Sequence, residues 1–125
     1  MRHARHYSLA EATAALDWVR ERLEALRGAR DRLADEEARG ALADAAPSNG
    51  GGASGKLVGE AFVEVQRLLG QLEAMEIVVR DLDTGLVDFP AIRDGDEVYL
   101  CWKEGEDAIE FWHDPESGFG GRRPL

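Results

Sequence analysis

Acidic side chains and one histidine with the chemistry to bind a cation or move a proton gather in the last third of this sequence. Asp81, Asp83 and Asp88 stand around a Thr-Gly turn in DLDTGLVDFP, and Glu104, Glu106 and His113 follow in KEGEDAIEFWH. Carboxylates joined by one imidazole suit a hard or borderline divalent ion such as magnesium, manganese or zinc. Asp81, Asp83, Asp88, Glu106 and His113 are therefore the candidate metal ligands, and Asp83, Asp88 and His113 the candidate catalytic groups. Their spacing matches no recognised ligand motif. Aspartate at a turn has a commoner use, accepting backbone N–H groups two residues on, and both RDLDTG and RDGDE invite it. That turn role is the expected one, with no cofactor, and a divalent metal is the alternative.

Near the C-terminus GFGGRRP sets Arg122 and Arg123 behind glycines that let backbone approach closely, and their forked donors fit carboxylate or phosphate. Arg122 is expected as an anion clamp, or as a structural clamp folded back onto Asp83 or Asp88. Alternation puts His113 on the strand face of Ile109 and Phe111, so a half-buried ring bonded to a backbone carbonyl is expected. Cys101, between Leu100 and Trp102, reads as a small core residue, because no cationic neighbour is evident to activate it. A lone cysteine forms no internal disulfide, which agrees with a reducing compartment. Trp102 and Trp112 should pack in or beside a sheet, with partners for their N–H groups.

Three familiar patterns are decoys. GGGASGKL has the glycine and lysine spacing of a phosphate-binding loop, but Leu57 stands where a Ser or Thr should meet magnesium and no strand precedes it. IVVRDLDTGL resembles the nucleophile motif of haloacid-dehalogenase-type phosphatases, with Thr84 and Gly85 swapped, and the chain left after it is too short and hairpin-like for the remaining groups. LDTG echoes the aspartic-protease motif, whose fold is almost entirely strand, whereas the first two thirds of this chain reads as helix.

The elements that must position these residues follow from periodicity. SLAE after Tyr7 is a capping box, and Leu9, Ala12, Leu16, Val19, Leu23, Leu26 and Leu33 continue at 3-4 spacing with Arg30 the one break, predicting a long helix over about 8–43 with coiled-coil habits. DAAPSNGGGASGK, residues 44–56, reads as a flexible linker. A second helix over about 57–75 carries Leu57, Val58, Ala61, Phe62, Val65, Leu68, Leu69, Leu72 and Met75, and folds back as an antiparallel hairpin. Strands are predicted at 77–81, 87–89, 97–103 and 109–113, the last two as a hairpin. The expected architecture is α+β, one domain of 125 residues with a helical hairpin beside a small antiparallel sheet.

The net charge of -10 sits mainly in residues 81–116, where Arg93 and Lys103 are the basic residues. An acidic domain without a basic stripe is a poor nucleic-acid binder, and no apolar run approaches a membrane span. Nucleic acid and membrane partners are therefore excluded, and a cytoplasmic protein is expected.

DLDTGLVDFPAIRDGDEVYLCWKEGEDAIEFWH followed by GFGGRRP, with the YSLAEA start and two apolar-striped helices, resembles the bacterial family catalogued as domain of unknown function 2203. The resemblance covers nearly the whole chain except the linker. It implies the architecture above and a bacterial cytosolic origin, and carries no catalytic residue across. The expected function is a non-enzymatic scaffold or interaction protein, a homodimer built on its helical hairpin, since two continuous stripes exceed what a small sheet covers. The alternatives are a metal-dependent hydrolase or phosphoryl-handling enzyme using Asp81, Asp83, Asp88 and His113, and a small-ligand sensor.

Overall fold

The computed structural model describes residues 1–45 and 52–125, with side chains over 1–42 and 55–125. Two helices, α1 (Leu9–Ala45) and α2 (Gly52–Ala74), precede a sheet in which β1 (Val78–Asp81), β2 (Leu86–Arg93), β3 (Asp96–Lys103), β4 (Phe111–His113) and β5 (Arg123–Pro124) pair antiparallel in sequence order. The α+β architecture is the one the periodicity predicts. Among the described residues, no helix is long and apolar enough to cross a membrane.

The chain packs as two compact units, residues 24–70 forming one and residues 1–23 with 71–125 the other. The first is a helical hairpin, the rest of α1 against most of α2. Leu26 and Ala29 of α1 and Ala61 and Leu68 of α2 are its buried residues, and the Glu64 carboxyl is held below its usual range chiefly by its hydrogen bond to Arg67, with a smaller contribution from the charge of Arg32 on α1. Residues 46–51 of the expected linker lie outside the described residues. Residues 44–45 and 52–56 belong to the helices instead, because a glycine costs a growing helix only about 1 kcal/mol while nucleation is the expensive step.

In the second unit α1 starts as its sequence dictates. Ser8 N–H donates to Glu11 Oε1 at 3.0 Å and Glu11 N–H to Ser8 Oγ at 3.1 Å, closing the capping box. Ala12, Leu16, Val19 and Leu23 are buried along the predicted stripe, while Leu9 is exposed. At the other end, α2 closes with the N–H of Ile77 on the carbonyl of Leu72 and that of Glu76 on Glu73, a Schellman arrangement with Leu72 and Ile77 both buried. Its left-handed position, φ 54°, is held by Glu76 where glycine is usual, at a cost of roughly 1–2 kcal/mol. The carboxylate explains the choice: Oε1 accepts from Ala4 N–H at 3.1 Å and Oε2 from Arg5 N–H at 2.7 Å.

The centre of the sheet, in β2 and β3, is buried on both faces. Val87, Phe89 and Ala91 alternate with Asp88 and Pro90, and Val98, Leu100 and Trp102 with Tyr99 and Cys101, and none of these is exposed. On the apolar face Tyr7 meets Phe89 edge to face at 5.4 Å and the Arg20 guanidinium lies 5.1 Å over the Trp102 ring. Trp102 Nε1–H finds its partner in the Glu106 carbonyl at 3.1 Å. The other, polar face is crossed by residues 2–6. Glu97 accepts from the backbone N–H of Arg2 at 2.8 Å and of His3 at 3.1 Å, and pairs with His6 Nε2 at 2.7 Å. His3 Nε2 reaches the Tyr99 hydroxyl at 2.8 Å.

The fifth strand, β5, was not expected, and two of the expected strands differ in their limits by more than one residue. β2 runs through Pro90 to Arg93 rather than stopping at Phe89. The Pro90 carbonyl accepts from Tyr7 N–H at 2.7 Å, so the proline's missing donor points away from β3 and no ladder bond is lost. β4 starts at Phe111, so His113 shares its face with Phe111, and Ile109 lies buried outside the strand.

Two measurements follow from these contacts. Gly85 sits at φ +69° with its Cβ position inside the Glu104 side chain, whereas Gly95, at φ +84°, faces open space. Gly95→Ala should cost about 1–2 kcal/mol in urea unfolding, and Gly85→Ala clearly more.

The second concerns Glu97. Burial alone would raise its pKa, but the His6 bond and the Arg2 and His3 amides outweigh it and bring the carboxyl down to about 2. An unfolded glutamate titrates near ~4.3, so this contribution is complete above that pH and is lost as the pH falls towards the folded value. The stability gap between wild type and Glu97→Gln, from urea curves at successive pH values, should therefore narrow across that acid window.

Candidate functional site

Three neighbouring strands deliver the site. Asp88 on β2 lies directly opposite Cys101 on β3, and His113 on β4 opposite Tyr99, one step along β3 on the same face. Period-two alternation therefore points Asp88, Cys101, Tyr99 and His113 to one side of the sheet. Val78 of β1 lies opposite Asp88, so Arg80, two residues further along β1, falls on the same side and bonds Asp88.

Asp88 and His113, each 1% exposed, form the buried polar pair of the sheet. Asp88 Oδ2 accepts from Arg80 Nε at 2.8 Å and lies 2.9 Å from His113 Nε2, while His113 Nδ1 stands 2.7 Å from the Asp114 carbonyl. A carbonyl oxygen only accepts, so Nδ1 carries hydrogen. Nε2 then faces a carboxyl oxygen along a line that also holds a proton. With both nitrogens engaged, the ring is positioned by its surroundings rather than free to turn. Arg80 also stacks 5.0 Å over the Tyr99 ring, which is 5.5 Å from that of His113.

Asp88 Oδ1 is buried with no hydrogen-bond partner. Asp88 is one of the residues lining a cavity of about 280 Å³, with Arg80, Cys101, His113, Ser117 and Phe119 among the others. Burial first, and the Asp88 charge next, push the Cys101 thiol up to about 12, so it is a neutral S–H near neutral pH.

The other predicted residues lie apart from this group. Among the described residues Asp88, Cys101 and His113 are the set with ligand atoms within 4.8 Å of one another, and Asp81, Asp83, Glu104 and Glu106 do not join it. Exposed Asp81 accepts from the Thr84 hydroxyl at 2.7 Å inside the β1–β2 turn, and Asp83 is exposed in the same turn. Arg122 folds back, but onto Glu106 rather than Asp83 or Asp88. Its Nη2 lies 2.7 and 2.9 Å from the two Glu106 oxygens and 3.3 Å from the Cys101 carbonyl, with the guanidinium 4.1 Å over Phe111. Phe111 and Cys101 are register partners, so the arginine reaches the acid nearest that edge. Burial would raise the Glu106 pKa, and the Arg122 bond with the Lys103 amide more than reverses it. Arg123 stacks 5.1 Å from Trp112 and 3.4 Å from Asp114.

Arg80 and Cys101 are the members that reasoning from sequence missed. The signal was present in LVDFPAI, where a carboxylate inside an apolar strand demands a buried cation and a cross-strand neighbour.

Fold and site together define a small α+β protein whose antiparallel sheet holds a buried aspartate–histidine pair, capped by a part-exposed arginine, beside a protonated thiol. The family model for the uncharacterized conserved protein DUF2203 matches residues 5–125, and the chain belongs to that family. Comparison with curated proteins and with solved structures gave no match.

Cys101 in the folded, metal-free protein should resist a thiol reagent at pH ~8, where an ordinary cysteine with a pKa near ~8.5 reacts. Labelling followed with and without denaturant is expected to show reaction on unfolding alone.

Proposed function

We propose that this protein is a non-enzymatic interaction protein that self-associates through its helical hairpin as a homodimer. The observation that carries this reading is a second apolar stripe on α2. Ala61 and Leu68 are buried inside the hairpin, yet Phe62 is 52% and Leu69 43% exposed, with Val58 and Val65 half-buried beside them.

Val58, Phe62, Val65 and Leu69 recur with the 4-3-4 spacing of a heptad seam, so all four lie along one line of the helix. The positions flanking that line are Gly59, Ala61, Gln66 and Leu68, which bring no charge that association would have to desolvate. Gly59 supports the same reading. Glycine inside a helix costs about 0.5–1 kcal/mol relative to alanine, and nothing in its own chain lies within 4 Å of the Cβ position, so the space is open to another backbone. A second copy fits best, because a seam of this kind placed against its own two-fold image is self-complementary and gives a closed four-helix arrangement.

Light scattering at micromolar concentration should give twice the chain mass for wild type, and the mass of one chain for Phe62→Glu or Leu69→Glu with helix content retained. A monomeric wild type would overturn the reading.

A further inference from the structure

The Asp88 oxygen without a donor lies among groups whose chemistry selects its partner. Carboxylate, thiol and imidazole come from three adjacent strands of one sheet, with ligand-capable atoms within 4.8 Å of one another and all three residues buried. Rigid strands hold such a constellation more closely than loops can. His113 is oriented as a metal-binding histidine is, its Nδ1–H on the Asp114 carbonyl and its Nε2 turned inward.

We propose that Asp88, Cys101 and His113 form a binding site for one divalent transition-metal ion of the zinc type. Sulfur, nitrogen and oxygen donors together suit zinc and disfavour magnesium or calcium, which take oxygen. Charge balances within the site: one carboxylate and one thiolate neutralise a divalent ion, and the imidazole binds as the neutral ring. On binding, the thiol proton and the proton between Asp88 and His113 leave to solvent. Asp88 supplies Oδ1, the oxygen that nothing else uses. Arg80, with 42% of its side chain exposed, can release Oδ2 and swing to water. Three protein ligands leave the fourth position to a water or small ligand in the cavity beside Ser117 and Phe119. The site stands independently of self-association, since none of its residues lies on α2.

Cobalt(II), a spectroscopic probe for zinc sites, tests this on the full chain stripped of metal. Titration should show one equivalent bound, with a thiolate-to-cobalt charge-transfer band that zinc abolishes by displacement. Cys101→Ser should lose the band, and Asp88→Asn should weaken binding at least about tenfold, while Asp81→Asn binds as wild type. Since Cys101→Ser alters the core and can impair folding, X-ray absorption on cobalt-loaded wild type gives a reading without a variant. One sulfur with nitrogen and oxygen neighbours is expected. No stoichiometric uptake, uptake with oxygen and nitrogen neighbours alone, or a band surviving in folded Cys101→Ser would each overturn the proposal.

Discussion

A buried polar group on the second face of the sheet is costly without a partner, and that constraint organises much of the unit that contains it. α1 covers the apolar face, with Arg20 over Trp102. The opposite face carries Asp88, Tyr99, Cys101 and His113, all buried, and it is covered by irregular chain. Such chain brings its own amides, each costing about 1–3 kcal/mol if buried without a partner. Glu76 and Glu97 take the amides of residues 2–5, and Glu106 takes the Lys103 amide and Arg122. These three carboxylates do for the polar face what leucines do for the other.

This economy accounts for an oddity at the end of α2. A glycine at position 76 would relax the left-handed backbone, but it would leave two amides and the His3 ring without their acceptor. Local strain is tolerated because a tertiary contact needs the side chain. The same reasoning separates Asp88 from the turn aspartates. Asp81 sits in water and bonds a neighbouring hydroxyl, whereas Asp88 is sealed in, meets a cation and a ring, and keeps one lone oxygen.

Local signals made the helices and the β3–β4 pairing legible in the sequence: the SLAE cap, the 3-4 stripe of α1 and the alternation through VYLCW. Less legible was anything decided by distant residues. Leu57 to Met75 reads as one stripe, yet within the hairpin unit the fold buries Ala61 and Leu68 and leaves Phe62 and Leu69 open, a division that periodicity cannot make. β2 looked shorter than it is because proline argues against a strand unless its neighbours are known. Of the site, Asp88 and His113 were nameable as residue types suited to chemistry. Their convergence depends on the register of β2 and β4 against β3, and Cys101 was judged by its chain neighbours rather than by the carboxylate across the ladder.

The proline of β2 has a counterpart at the margin of the sheet, where the edge strand β5 ends in Pro124. A foreign strand docking along β5 would meet a residue unable to donate. At Pro90 the carbonyl is already taken by Tyr7, and along β1 the bulge twists the ladder out of register. Short, interrupted borders of this kind give little template for edge-to-edge growth. A sheet this rich in apolar and aromatic residues is thereby guarded against fibrillar stacking by backbone chemistry, in addition to the exposed charges of Arg80, Asp81 and Arg123 on its edge strands.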